Sequence, residues 1–259
     1  MTARTAPRPR RWTFPFYALL DIIVLLLWGV MLLRLWWTNR LPILIHPNYH
    51  ILVIAAGIVL AVMGLWQLGI LLQRLSTGQA PPRQSHSTLF PRRLSMTILL
   101  VTALLGLLIP PKAFGSQTAL DRAGENFAAL TRARPQSFQA AQRPEDRSII
   151  DWVRTLDVYP EPDAYAGEPA KVQGFAMHLP QLPDNYLTIA RFVITCCAAD
   201  AYPVGLPVKL SSSRTAYPPD TWLEVEGEMI TETLADRRQL VIQAKSLKPI
   251  PEPENPYDY

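Results

Sequence analysis

This 259-residue sequence predicts a membrane-anchored chain, with two to three transmembrane helices in its amino-terminal half and a small mainly-β domain behind them. Three observations carry that expectation. Long apolar runs are confined to the first 110 residues, short β-rich runs fill the last third, and the charge divides between the halves. Residues 1–150 hold 16 Lys plus Arg against 5 Asp plus Glu, a net of +11, whereas residues 151–259 hold 9 against 16, a net of −7. Nucleic-acid affinity rests on clustered cationic side chains, so the acidic half is not a nucleic-acid binder. For the basic, apolar half the partner is the lipid bilayer.

The apolar runs cover residues 1–111 as a membrane region, with spans at about 14–37, 51–72 and 94–110. At about 1.5 Å per residue the first two cross a hydrocarbon layer of ~30 Å. The third reaches that length only with Pro110 and Pro111, or by thinning the bilayer. The first span is too long for a cleaved signal and ends in Arg34-Leu-Trp-Trp37 rather than in small residues. Arg4, Arg8, Arg10 and Arg11 precede it, and Arg74, Arg83, Arg92 and Arg93 separate the second and third spans. The loop 38–50 has Arg40 alone, with Arg34 at its edge. By the positive-inside rule the amino terminus is cytoplasmic in the plasma membrane and the acidic half extracytoplasmic. Lys112 and Arg122 follow the third span on a long exported segment, where charges count for less.

Asp21 is the one acid inside a span; it either pairs with a partner or lies at headgroup level, with the apolar stretch beginning near Ile22. Gly57, Ala61 and Gly64 form a small-residue stripe suited to close helix contact, within this chain or on another.

Residues 112–147 read as a solvated connector with some helical content. A helix follows over 148–156, where Ile149, Trp152, Val153 and Leu156 share one face. Strands are expected at 170–178, 186–196, 206–210, 221–230 and 239–247. Five short strands within the domain 148–248 suggest a closed barrel of the OB type, with Gly174 and Gly227 where strands coil or bulge. Phe175, Phe192 and Trp222 belong to its core rather than to a base-stacking platform. Residues 249–259, rich in Pro and acids, form an extended, unpacked tail.

The chemistry concentrates at Cys196 and Cys197, the only cysteines. Neighbours on a regular strand point to opposite faces, so either the strand ends there or one thiol is inside and the other outside. Consecutive α-carbons lie about 3.8 Å apart, below the ~4.4–6.8 Å that disulfides prefer, so a bond between the two would be strained and redox-active. A metal site needs more ligands, and Asp200 and His178 are the candidates, a set suited to zinc or another soft or borderline ion. An inert buried pair is the third alternative. No catalytic residues emerge: Gly-x-Ser-x-Gly and His-Glu-x-x-His are missing, and His178 is the one histidine of the acidic half.

Four strings resemble a known family: Leu107-Leu-Ile-Pro-Pro-Lys-Ala-Phe-Gly-Ser116, Asp151-Trp-Val, Tyr165-Ala-Gly-Glu-Pro-Ala-Lys-Val-Gln-Gly-Phe175 and Arg191-Phe-Val-Ile-Thr-Cys-Cys-Ala-Ala-Asp-Ala-Tyr-Pro203. They are similar to the YcgQ-like membrane proteins, described as the small subunit of a two-component permease. The resemblance implies spans before an extracytoplasmic barrel-like domain, and a larger polytopic permease as partner. With the candidate site at Cys196, Cys197 and Asp200, the expectation is a non-enzymatic accessory transport subunit whose outer domain binds or hands over a ligand, such as a metal ion. The rival expectation is a membrane-anchored thiol redox protein or sensor using Cys196 and Cys197.

Overall fold

The computed structural model describes residues 16–77, 90–123 and 143–259. Arg4, Arg8, Arg10, Arg11, Arg83 and most of the expected connector lie outside them. The chain divides into two compact units, one of residues 1–38 and 50–110, the other of 39–49 and 111–259.

In the first unit, α1 (Phe16–Trp37), α2 (His50–Ser76) and α3 (Arg92–Leu108) match the three apolar runs. α1 and α2 are long and apolar enough to cross a membrane, and most of their side chains face outward. Their contact is made by small residues. A Cβ built on Gly29 would lie 2.9 Å from the Ala61 nitrogen and 3.0 Å from the Gly57 oxygen, so the two backbones touch there. Gly57 faces Leu33 and Gly64 faces Leu26, so partners descend α1 as they ascend α2, and the helices are antiparallel. The small-residue stripe thus packs within this chain. α3 runs parallel to α1: Arg92 pairs with Asp21, Trp28 Nε1 donates to the Leu99 carbonyl at 3.0 Å, and Arg34 donates to that of Leu107. Asp21 therefore has an ion-pair partner, 2.5 Å away.

The second unit is built on a six-stranded sheet: β1 (Pro169–Met177), β2 (Tyr186–Val193), β3 (Tyr202–Lys209), β4 (Trp222–Leu234), β5 (Arg237–Pro249) and β6 (Tyr257–Asp258). Its order is β1-β4-β5-β3-β2-β6, and β1 pairs with β2 as well, which closes the pairings of the first five strands into a cycle. All pairs in that cycle are antiparallel except β3 with β5. Alternation explains the strands: on β1, Ala170 and Val172 face inward, while Lys171 and Gln173 face out. Gly227 sits at a register shift between β4 and β5, where a Cβ would come 2.2 Å from the Gln243 carbonyl oxygen. That close approach accounts for glycine in the middle of a strand.

β4 and β5 extend beyond their expected ends because Ala235 and Asp236, at φ 49° and 59°, form a two-residue turn, the geometry that joins twisted hairpin strands. β3 begins earlier than expected, at Tyr202, since Pro203 and Pro207 occupy ladder positions opposite Phe192 and Thr188. β2 ends earlier, at Val193, leaving both cysteines beyond the strand.

The first core cluster packs under α5 (Ile149–Val158), whose Ser148 side chain accepts from Asp151 N while Asp151 accepts from Ser148 N at 3.0 Å. Trp152 and Val153 are fully buried there. The second cluster gathers Phe175, Phe192, Trp222 and Tyr257. Two expectations need correction here. The segment 249–259 is not an unpacked tail: Tyr257 is 1% exposed, and β6 pairs in parallel with β2 through Phe192 and Val193. The segment stays extended as its prolines favour, and burial of an aromatic ring packs it against the sheet. Nor is the start of the connector solvated, because α4 (Ser116–Ala123) buries Ala119, and Phe114 packs on Phe192 at 5.4 Å.

Candidate functional site

The strand break at Val193 removes the alternation that would have sent the two thiols apart. Cys196 and Cys197 are both free, and their Sγ atoms stand 3.7 Å from one another. What shapes the turn is Asp200. Its carboxylate accepts from Thr195 Oγ1, from Cys196 N at 2.9 Å and from Cys197 N at 3.2 Å, and Asp200 N closes the turn on the Cys197 carbonyl at 3.0 Å. One sulfur from each cysteine and one Asp200 oxygen all lie within 4.8 Å of one another. Cys196 is exposed, whereas Cys197 and Asp200 are half-buried.

Two other segments hold the turn from outside. Arg122, near the end of α4, donates to the carbonyls of Ala198 and Ala201, and its guanidinium lies 4.5 Å from the centre of the Phe114 ring. On the other flank, Ile45 forms an antiparallel bridge with Cys197. His46 N donates to the Cys196 carbonyl at 3.0 Å, and Ala198 N to that of Leu44 at 2.8 Å. This flank is anchored by Leu41 and Ile43, both buried, and by the His46 ring edge-on to Tyr259 at 4.9 Å.

Electrostatics follow from this geometry. The hydrogen bond to Asp200, then that to the neighbouring Cys197, push the Cys196 thiol up to about 11, with loss of solvation and the Asp200 charge adding to them. Burial works to raise Asp200, but hydrogen bonds from Thr195, Cys196 and the backbone of Cys197 outweigh it and hold the carboxyl at about 2. The carboxylate is thus ionised beside the protonated Cys196 thiol. A nucleophilic or redox-catalytic cysteine needs the opposite, a thiol displaced toward the thiolate by a nearby cation. An anionic carboxylate among sulfurs instead suits an incoming cation, which replaces thiol protons as it binds.

The structure thus brings together Cys196, Cys197 and Asp200. It does not bring in His178, which follows β1 and whose Nε2 donates to the Tyr217 carbonyl at 2.9 Å. Sequence reasoning missed Arg122 and the segment 44–46. The available signal was Leu41-Pro-Ile-Leu-Ile45, an apolar run in what would otherwise be a solvated loop.

Residues 20–124 match the DUF1980 N-terminal domain and residues 144–259 the DUF1980 C-terminal domain. No curated protein and no solved structure matches the chain.

Proposed function

We propose, for a chain that carries both DUF1980 domains, an accessory subunit of a membrane transport complex whose extracytoplasmic domain holds a soft or borderline metal ion at Cys196, Cys197 and Asp200. The observation that carries this reading is the convergence of two sulfurs and a carboxylate oxygen within 4.8 Å. Two thiolates each ~2.3 Å from a tetrahedral ion stand about 3.8 Å apart, and the sulfurs here are 3.7 Å apart. Three protein donors leave a tetrahedral ion one open position, the arrangement of an exchangeable ion rather than of a closed structural site. Zinc fits the donor set, as do other thiophilic ions.

Membrane anchoring is supported by outward-facing apolar side chains such as Trp66 and Leu108. Aromatic pairs at both ends of α1, Phe16 with Tyr17 and Trp36 with Trp37, add to it, since such residues favour the two membrane interfaces. Connectivity supports a third crossing. The chain leaves the second unit after residue 49 and rejoins it at 111, so a crossing by α2 has to be reversed by α3. The arginine distribution supports an extracytoplasmic position for that unit. The cycle of strand pairings supports an OB-like barrel, and its acidic charge speaks for cations over nucleic acid. The permease partner rests on the family resemblance and on the lack of repeated bundles or midplane polar sites in so few spans.

The test uses reduced, chelated full-length protein in sealed right-side-out vesicles. An impermeant maleimide should label Cys196, one equivalent of Zn²⁺ should protect it, and equilibrium dialysis of purified protein should find one zinc per chain, lost in Cys196→Ser/Cys197→Ser. Labelling only after lysis would overturn the topology. Equal zinc in wild type and double variant would overturn the site, and a readily formed Cys196–Cys197 disulfide without bound metal would favour the redox alternative.

A further inference from the structure

We infer that segment 39–49 is a latch on the dithiol turn, so that ion occupancy and latch pairing are two faces of one equilibrium; the inference rests on the ion-binding reading above. The segment lies between α1 and α2 in sequence, yet it belongs to the compact unit that carries the cysteines. Its backbone bonds at both sides of the pair, His46 N to the Cys196 carbonyl and the Leu44 carbonyl to Ala198 N, with Ile45 bridged to Cys197 between them. Asp200 ties the same two residues through their N–H groups, at 2.9 and 3.2 Å. The peptide groups carrying the two sulfurs are therefore held between the carboxylate and the latch.

Unpairing the latch strands the Cys196 carbonyl and the Ala198 N–H, and it frees the torsions that set the 3.7 Å sulfur separation. An ion that binds only when the sulfurs are so placed favours the paired state, and by linkage the paired state favours the ion to the same degree. Several contacts define the latch as one element. Leu41 and Ile43 are buried, the Tyr259 hydroxyl reaches the Pro42 carbonyl at 3.5 Å, and Asn39 Nδ2 donates to Glu254 at 3.3 Å.

The geometry offers a clean variant. Ala198 opens a short 3-10 turn, Cys197 before it is extended at φ −155° and ψ 170°, and proline is accepted in that setting. Ala198→Pro therefore removes the bond to Leu44 without distorting the turn, and Ala198→Gly keeps it as the control. Full-length protein is titrated with Cd²⁺, followed by the thiolate-to-cadmium absorption band. Trypsin cleavage after the exposed Arg40 is followed in parallel by mass spectrometry. That bond adjoins buried Leu41, so cutting it requires the latch to open.

The expected result is that Cd²⁺ slows the cut several-fold in wild type and in Ala198→Gly. Ala198→Pro should weaken Cd²⁺ binding about fivefold, the equivalent of one lost backbone hydrogen bond, and should lose most of the protection. A normal cadmium band with cleavage indifferent to the ion, or equal affinities in the two variants, would overturn the latch while leaving the ion site standing. A wild type without any thiolate band would remove both.

Discussion

In the helical unit Leu65, Trp66 and Leu108 stand outward while Gly29, Gly57 and Gly64 lie at the contacts; in the β unit Trp152, Phe192 and Tyr257 are buried while Lys171, Glu226 and Lys245 stand outward. One chain thus carries two opposite rules for placing its apolar surface. The difference teaches where each unit's stability comes from. The β unit draws on removal of apolar area from water, whereas the helical unit, left with its apolar faces outward, depends on close backbone packing and on a few polar ties such as Asp21 with Arg92.

Substitutions can break this contrast or sharpen it. The largest effect is expected from Trp152→Ala, since this side chain is wholly buried on the inner face of α5. A loss of about 3–5 kcal/mol is the usual result, read by chemical denaturation of the full-length protein in detergent, and a change below ~1 kcal/mol would mean that α5 is not part of the core. Next comes Val62→Arg near the centre of α2, where the side chain is 58% exposed. In hydrocarbon an arginine there costs about 2.5–3.5 kcal/mol on insertion scales, seen as a falling membrane-integrated fraction. On a surface bathed in water the same change would be neutral, and that outcome would erase the contrast between the units.

Gly29→Ala should follow, because the new methyl meets the Ala61 nitrogen at 2.9 Å and the Gly57 oxygen at 3.0 Å, both backbone atoms. Overpacking of this kind costs about 1–3 kcal/mol, measurable as a lower melting temperature of the helical unit in detergent, and an unchanged value would show that the helices do not meet at Gly29. Glu226→Gln stands last. It removes an exposed pair with Lys171, and exposed pairs contribute little, so the melting temperature should stay put. A clear drop would show that the outer acids of the sheet are structural.

Much of this contrast was legible in the residues, and the parts that were not share a cause. The apolar runs, the face of Ile149, Trp152 and Val153, and the strand alternation around Val172 are local periodicities, which a sequence displays directly. Gly227 was readable as a bulge because a glycine inside a strand points to a close backbone approach. The placement of Tyr257, Phe114 and Leu41 was not readable, since each is decided by a partner far away in the chain: Phe192 for the two aromatics, and for Leu41 a segment whose partners begin at Cys196. For the same reason Cys196, Cys197 and Asp200, four residues apart at most, are legible as one cluster, while the place of His178, hydrogen-bonded to Tyr217, depends on segments distant in the chain. Arg122 and His46 touch the site only after the fold has formed.

Everything functional here depends on sulfur meeting a metal ion in the β unit. X-ray absorption at the zinc edge of the reduced, zinc-loaded full-length protein tests this most directly, because it counts neighbours by element. Two sulfurs at about 2.3 Å, completed by oxygen or nitrogen at about 2.0–2.2 Å, is the shell the account requires. A shell of oxygen and nitrogen alone, unchanged in Cys196→Ser/Cys197→Ser, would contradict it.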